Sequence, residues 1–288
     1  MKNCFLLLAL LTFFLSSAGE VFFVPGWRTG DSNRAGCVRI MRDIWPGMEI
    51  TVKSWKSLVG LSEARKNAAQ YSKVLLNEIL QMPESRRKEL VLAGHSLGAA
   101  IVLEVLNELE KRDISVGSAA LLGAPVANDD PGILRGLNAV RGYCYNVAFT
   151  GDGILRTLYP LTESGSPLGT SGWKYFHPRM VESIVEQSFS FYHHYAYLYL
   201  EELDRLIDAQ SAAATPGVIN GSHPVLYDET GMFWKTEQQH QSWQLQKHLF
   251  NDEYRLLDPG HRVRCTGTAE AVSAAFEQVK SHSSGGVK

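Results

Sequence analysis

A short apolar segment, Leu90–Ala93, runs straight into Gly94-His95-Ser96-Leu97-Gly98, and Ala99 to Lys111 follows with the apolar content of a buried helix. A strand that passes into a helix through so tight a turn must hold one residue in a strained conformation, and only small neighbours avoid a clash there. Gly94 and Gly98 supply that room. Ser96 stands at the apex, at the N-terminus of the following helix, whose free N–H groups and positive end suit a developing negative charge. Gly-x-Ser-x-Gly is a short pattern, and its weight comes from the strand–turn–helix context. A glycine-rich turn without chemistry is the plain alternative.

The rest of the chain supplies the sheet such a turn needs. Val21–Val24 reads as a buried strand ended by Pro25-Gly26, and Asp31–Trp45 as a helix with Cys37, Ile40, Met41 and Ile44 at helical spacing. Ile50–Trp55 alternates as a strand does. Ser62 to about Leu80 is a long helix stopped near Pro83. Ala119–Leu122 and Tyr145–Phe149 are two further strands, each followed by a loop containing Gly. Strands alternating with amphipathic helices predict an α/β fold, a mostly parallel central sheet with helices on both faces. Sites in such sheets lie at the carboxyl ends of the strands. Tyr159–Pro178 is too long and aperiodic for a simple connector and reads as a lid or binding loop.

A serine hydroxyl is a weak nucleophile, so Ser96 requires a base to take its proton and a carboxylate to fix that base's tautomer. Asp152, in Thr150-Gly151-Asp152-Gly153, follows a strand where an acid belongs; Asp129 and Asp130, after the preceding strand, are its rivals. His194 is the expected base, in Phe191-Tyr192-His193-His194-Tyr195 at the start of the last helix of the sheet domain, with His193 its rival. His95 sits inside the turn and is expected to pack beside the site. His177 falls in the long loop, and His223, His240, His248, His261 and His282 fall outside the domain. An oxyanion hole would combine the backbone N–H groups of Leu97 and Trp27. Trp27 as a packing residue is the alternative.

Composition limits the partners. With 28 Lys and Arg against 30 Asp and Glu among 288 residues, the net charge of −2 gives no field to attract nucleic acid. Met1-Lys2, the uncharged apolar run Cys4–Leu15 and the small residues Ser16-Ser17-Ala18 read as a signal peptide, too short for a transmembrane anchor. That predicts a secreted or periplasmic protein. Of the four cysteines, Cys4, Cys37, Cys144 and Cys265, cleavage would leave three, so one thiol at least stays unpaired. No Cys/His cluster suggests a metal, and no cofactor is expected. The expected organisation is a signal peptide over 1–18, the α/β domain over 19–207, a linker over 208–221, a small C-terminal α+β appendage over 222–280 and a disordered tail over 281–288. The appendage rests on strand-like Met232–Lys235, Trp243–Gln246 and Tyr254–Leu257 and a helix from Thr268 to Val279. Oligomeric state is not readable.

Pro25-Gly26-Trp27, Gly94–Gly98, Leu122-Gly123-Ala124-Pro125, Asp152 and a histidine near the last helix together resemble the lipase- and esterase-like α/β-hydrolase superfamily. Within it, Leu121–Val126, Gly142–Asn146 and Gly151–Leu155 are similar to a little-characterised group of hydrolases known partly from eukaryotic membrane-associated proteins. In that group a His followed three residues later by Tyr ends the triad; His194 with Tyr197 matches, and His193 with Ala196 does not. The resemblance covers Val21 to about Ile207 and implies a Ser-Asp-His triad acting on a small-molecule or lipid ester. An amidase, thioesterase or acyltransferase would carry the same triad. From another class, a secreted hydrolase-fold protein could use its Trp-bearing tail as a binding module.

Overall fold

The computed structural model describes residues 19–214, 234–248, 252–260 and 263–284. The expected signal peptide lies outside these residues, as do 215–221 of the expected linker and Met232 and Phe233 of the first expected appendage strand.

Ten strands form one sheet: β1 (Glu20–Val24), β2 (Glu49–Val52), β3 (Val91–His95), β4 (Ser118–Leu122), β5 (Cys144–Phe149), β6 (Met180–Val185), β7 (Trp234–His240), β8 (Trp243–His248), β9 (Tyr254–Leu257) and β10 (Val263–Gly267). Their spatial order is β2-β1-β3-β4-β5-β6-β10-β9-β8-β7. From β2 to β10 all neighbours are parallel, and from β10 to β7 they are antiparallel.

The central strands β1, β3 and β4 are mainly apolar because helices cover both faces. Period-two alternation sorts their side chains into two layers. Phe22, Val24, Leu92, Ala119 and Leu121 meet α2 (Leu61–Gln81) and α4 (Leu97–Glu110) on one face. Val21, Phe23, Val91, Ala93, Ala120 and Leu122 meet α1 (Asp31–Ile44) and α8 (Ala196–Ala214) on the other. Each large apolar side chain fully buried here contributes about 1.5–3 kcal/mol, so the two layers hold the central strands, and with them the strand ends, in fixed relation. Shorter helices complete the chain: α3 (Glu84–Glu89), α5 (Pro131–Asn138), α6 (Gly153–Leu158) and α7 (Leu168–Ser171), with α9 (Ala269–Ser284) at the C-terminal end.

Two expectations need correction. The expected linker begins inside a helix: α8 runs to Ala214, since Ala209 and Gln210 continue the buried face of Leu206 past Ile207. The expected disordered tail also begins inside a helix, because α9 continues to Ser284. The antiparallel strands β7–β10 together with α9 fit the expected small C-terminal α+β appendage. β10 pairs in parallel with β6 through Cys265–Glu182 and Thr266–Ser183, so the antiparallel region extends the central sheet. Its own small core is Leu245, Leu256, Cys265, Val272, Phe276 and Val279.

Candidate active site

At the end of β3 the chain enters α4 through Ser96, whose φ of 53° and ψ of −128° are strained for a residue with a Cβ. Such a conformation costs of order 1–3 kcal/mol and persists only where its surroundings impose it. Here the Ser96 amide donates to the Leu122 carbonyl of β4 at 2.8 Å, and the Ser96 carbonyl accepts from the Ala99 amide at 2.8 Å. The two glycines of the turn are required by close approach. A Cβ on Gly94 would meet the backbone of Gly98 and Ala99, and one on Gly98 would meet the Val24 carbonyl of β1.

His194 ends a 3-10 turn, Phe191–His194, that leads into α8. Its Nε2 lies 2.8 Å from Ser96 Oγ and its Nδ1 lies 2.5 Å from Asp152 Oδ2. The loop carrying His194 is tied to the loop carrying Asp152. Ser190 N–H donates to the Gly151 carbonyl and Gly153 N–H to the Ser190 carbonyl, each at 2.9 Å. Gly151 permits this approach, since a Cβ there would meet the backbone of Gln187 and Ser188.

Asp152 is fully buried at the N-terminus of α6 and accepts three hydrogen bonds. They come from the Leu155 amide at 3.0 Å, the Tyr199 hydroxyl at 2.6 Å and His194. Burial alone would raise its pKa. The bonds and charge of His194, then the Tyr199 and Leu155 donors, outweigh that and hold the carboxyl below its usual range. A carboxylate kept ionised beside Nδ1 places the other ring nitrogen, as an unprotonated acceptor, toward Ser96.

The loop after β1 faces the same serine. Gly26 passes so close that a Cβ there would stand 2.8 Å from Ser96 Cβ. The loop is fixed by the Trp55 indole donating to the Pro25 carbonyl, the Trp27 indole donating to the Val59 carbonyl, both at 2.8 Å, and Thr29 Oγ1 donating to the Gly26 carbonyl at 3.1 Å. Among the described residues the backbone amides of Trp27 and Leu97 have no acceptor. Both residues line a cavity of about 340 Å³ above Ser96 and His194, within the size range of small-molecule sites. Cys37 also borders it, but burial pushes that thiol up to about 11, which keeps it protonated.

The rival residues lie elsewhere. Asp130 caps α5, accepting from the Gly132 amide at 2.6 Å, and Asp129 pairs with Lys174 at 3.4 Å. His193 points away, its ring 6.5 Å from that of Phe149. His95 is buried with its ring 4.9 Å from that of His194, and burial first, then the neighbouring His194, drives its pKa down to about 3. It is a neutral packing group. His177 donates no proton to this site; its Nδ1 accepts from the Arg179 amide. His240 and His248 lie on the C-terminal strands, while His223, His261 and the His282 side chain lie outside the described residues.

Tyr199 is the residue that sequence reasoning missed. The His194–Tyr197 spacing points to Tyr197, which borders the cavity and is partly exposed. Tyr199, two positions on, is fully buried and reaches Asp152, its hydroxyl pKa raised well above the ordinary value by burial and by that carboxylate. Its ring lies 4.3 Å from that of Phe149 and beneath Gly123, whose φ of 55° and missing Cβ make room for it. Its signal in the sequence is no more than a tyrosine in an apolar helix.

A family model described as a protein of unknown function, DUF726, matches residues 45–182. Solved structures similar to this chain include YbtT, a type II thioesterase from a yersiniabactin biosynthetic pathway. It is 12% identical, with 67% of this chain and 94% of that one covered, at a TM-score of 0.37. An esterase of Pyrobaculum calidifontis is 13% identical, covering 67% and 77% at 0.40. SOBER1 of Arabidopsis thaliana is 11% identical, covering 67% and 98% at 0.39. A search of curated proteins finds no match. The fold is that of the α/β-hydrolases. This rests on the strand order, the parallel pairing and the strained turn between β3 and α4.

Proposed function

We propose that the protein is a serine hydrolase of the carboxylesterase type, cleaving acyl esters through an acyl-enzyme on Ser96. The observation that carries this reading is His194, with one ring nitrogen 2.8 Å from Ser96 Oγ and the other 2.5 Å from Asp152 Oδ2.

In this mechanism Ser96 Oγ attacks the ester carbonyl carbon while His194 Nε2 takes the hydroxyl proton. The carbonyl oxygen becomes an oxyanion, met by the Leu97 and Trp27 amides; one such donor is typically worth about 10²–10³ in rate. Asp152 stabilises the imidazolium. The bond to the alcohol oxygen then breaks, His194 protonates that oxygen, and the acyl group stays on Ser96. Water repeats the sequence: its proton passes to His194, the Oγ–acyl bond breaks, and Ser96 recovers its proton as the carboxylic acid leaves. Residues 1–18 support a secreted or periplasmic location.

Turnover of a panel of short and long acyl esters tests this reading. Wild-type protein is expected to hydrolyse members of the panel, and Ser96→Ala to lose that activity by at least about 10⁴. Equal rates for the two folded proteins would overturn it.

A further inference from the structure

We infer that the cleft above Ser96 contains an anion subsite at Arg28, so that its preferred esters carry a carboxylate or phosphate group beside an apolar body. The inference rests on the hydrolase reading of Ser96.

The described residues that line the cleft include two arginines, Arg28 and Arg65, and no aspartate or glutamate. Arg65 already has a counter-ion, its Nη1 lying 2.7 Å from Glu163 Oε1. Arg28 has none among the described residues. The acid nearest to it in the chain, Asp31, pairs with Arg34 at 3.3 Å. Arg28 is an exposed arginine without a carboxylate partner among the described residues, and it borders a cleft with apolar walls such as Leu61, Leu158 and Phe191. An anion entering the cleft therefore meets a guanidinium able to bind it through two N–H groups.

Arg28 is also held in place. Its φ of 56° is left-handed, a conformation bulky side chains rarely adopt, and strain of this kind clusters at ligand sites. The guanidinium carbon lies 4.8 Å from the centre of the Trp27 ring, which gives it a platform. That ring is anchored in turn by its bond to the Val59 carbonyl. Trp27 also carries one of the amides assigned to the oxyanion, so the chain links Arg28 to the reacting carbonyl through a single peptide unit. A substrate anion held by Arg28 would orient the ester over Ser96, and apolar walls would take the remainder of the molecule.

Two matched pairs of esters test the subsite. On the acyl side, phenyl hydrogen glutarate is compared with phenyl glutaramate, its neutral amide; on the alcohol side, butyryl glycerol phosphate is compared with butyryl glycerol. In at least one pair the anionic ester is expected to lead by about tenfold in kcat/KM. That lead should shrink with added salt and vanish in Arg28→Gln. Equal or reversed preference in both pairs overturns the inference, as does a preference that survives Arg28→Gln. If no ester is turned over, the hydrolase reading fails instead. Binding of glutarate and glycerol phosphate to Ser96→Ala, read by tryptophan fluorescence with and without Arg28→Gln, then decides the subsite by itself: tighter binding with Arg28 supports it, and equal binding overturns it.

Discussion

At the residue scale, the site depends on how one buried carboxylate is kept ionised. Asp152 has three donors, and Tyr199 is the one whose removal leaves the rest in place. Tyr199→Phe loses a hydrogen bond to a charged group, worth about 1.5–3 kcal/mol. Because the folded pKa of Asp152 is depressed, its stabilisation is present above the ordinary value of 3.8 and is lost as pH falls through the folded value. The stability deficit of Tyr199→Phe, measured by urea unfolding, should therefore be full at neutral pH and shrink in acid. A deficit constant with pH would mean that Tyr199 only packs. That Ser96, Asp152 and His194 come together was legible in the sequence because each sits at a strand end or turn marked by small or aromatic neighbours. Tyr199 was not, because a helix buries its apolar face without saying which member of it reaches across to a loop.

At the element scale, the serine turn depends on three backbones meeting: the end of β1, the start of α4 and the loop at Pro25-Gly26. Gly98 lets α4 rest against the Val24 carbonyl. Gly98→Ala would drive a methyl group into rigid backbone, and a loss of about 3 kcal/mol or more is expected in thermal or urea unfolding, with collapse of the hydrolysis proposed for Ser96. A variant as stable as wild type would contradict this packing. The apolar strands β1, β3 and β4 were readable because both their faces are buried. β6 was not, since Glu182 and Ser183 break its apolar run, although both are buried. Glu182 is satisfied there by the Trp173 amide at 2.8 Å, from the preceding loop, and by the Asn146 side chain of β5 at 2.7 Å. β10 escaped notice for the same reason, carrying Arg264 and Thr266 beside Val263 and Cys265.

At the scale of the whole molecule, two buried groups give stability opposite dependences on pH. Burial pushes Glu182 up to about 7 from 4.5, so the stability linked to it is full below 4.5 and is lost as pH rises through 7. Burial drives His95 from 6.5 down to about 3, so its contribution falls as pH drops through that interval. Between about 4.5 and 6.5 the two trends oppose one another. Glu182→Gln keeps an oxygen acceptor for the Trp173 and Asn146 donors but cannot ionise. It should be more stable than wild type at pH 8 by on the order of 2–3 kcal/mol, with the gain fading toward pH 4. An unchanged pH profile would show that Glu182 ionises freely in the folded chain. The parallel sheet could be foreseen from the order of its elements, whereas the junction of β10 to β6 joins segments some eighty positions apart. No local pattern encodes that distance.

The central claim is that Ser96 is an activated nucleophile, and a fluorophosphonate reports on it directly. Intact mass and peptide mapping of the folded protein should show one adduct, on Ser96, with labelling slowed by at least about 10³ in His194→Ala. No adduct on a folded sample, or an adduct on another residue while Ser96 stays free, would contradict the account.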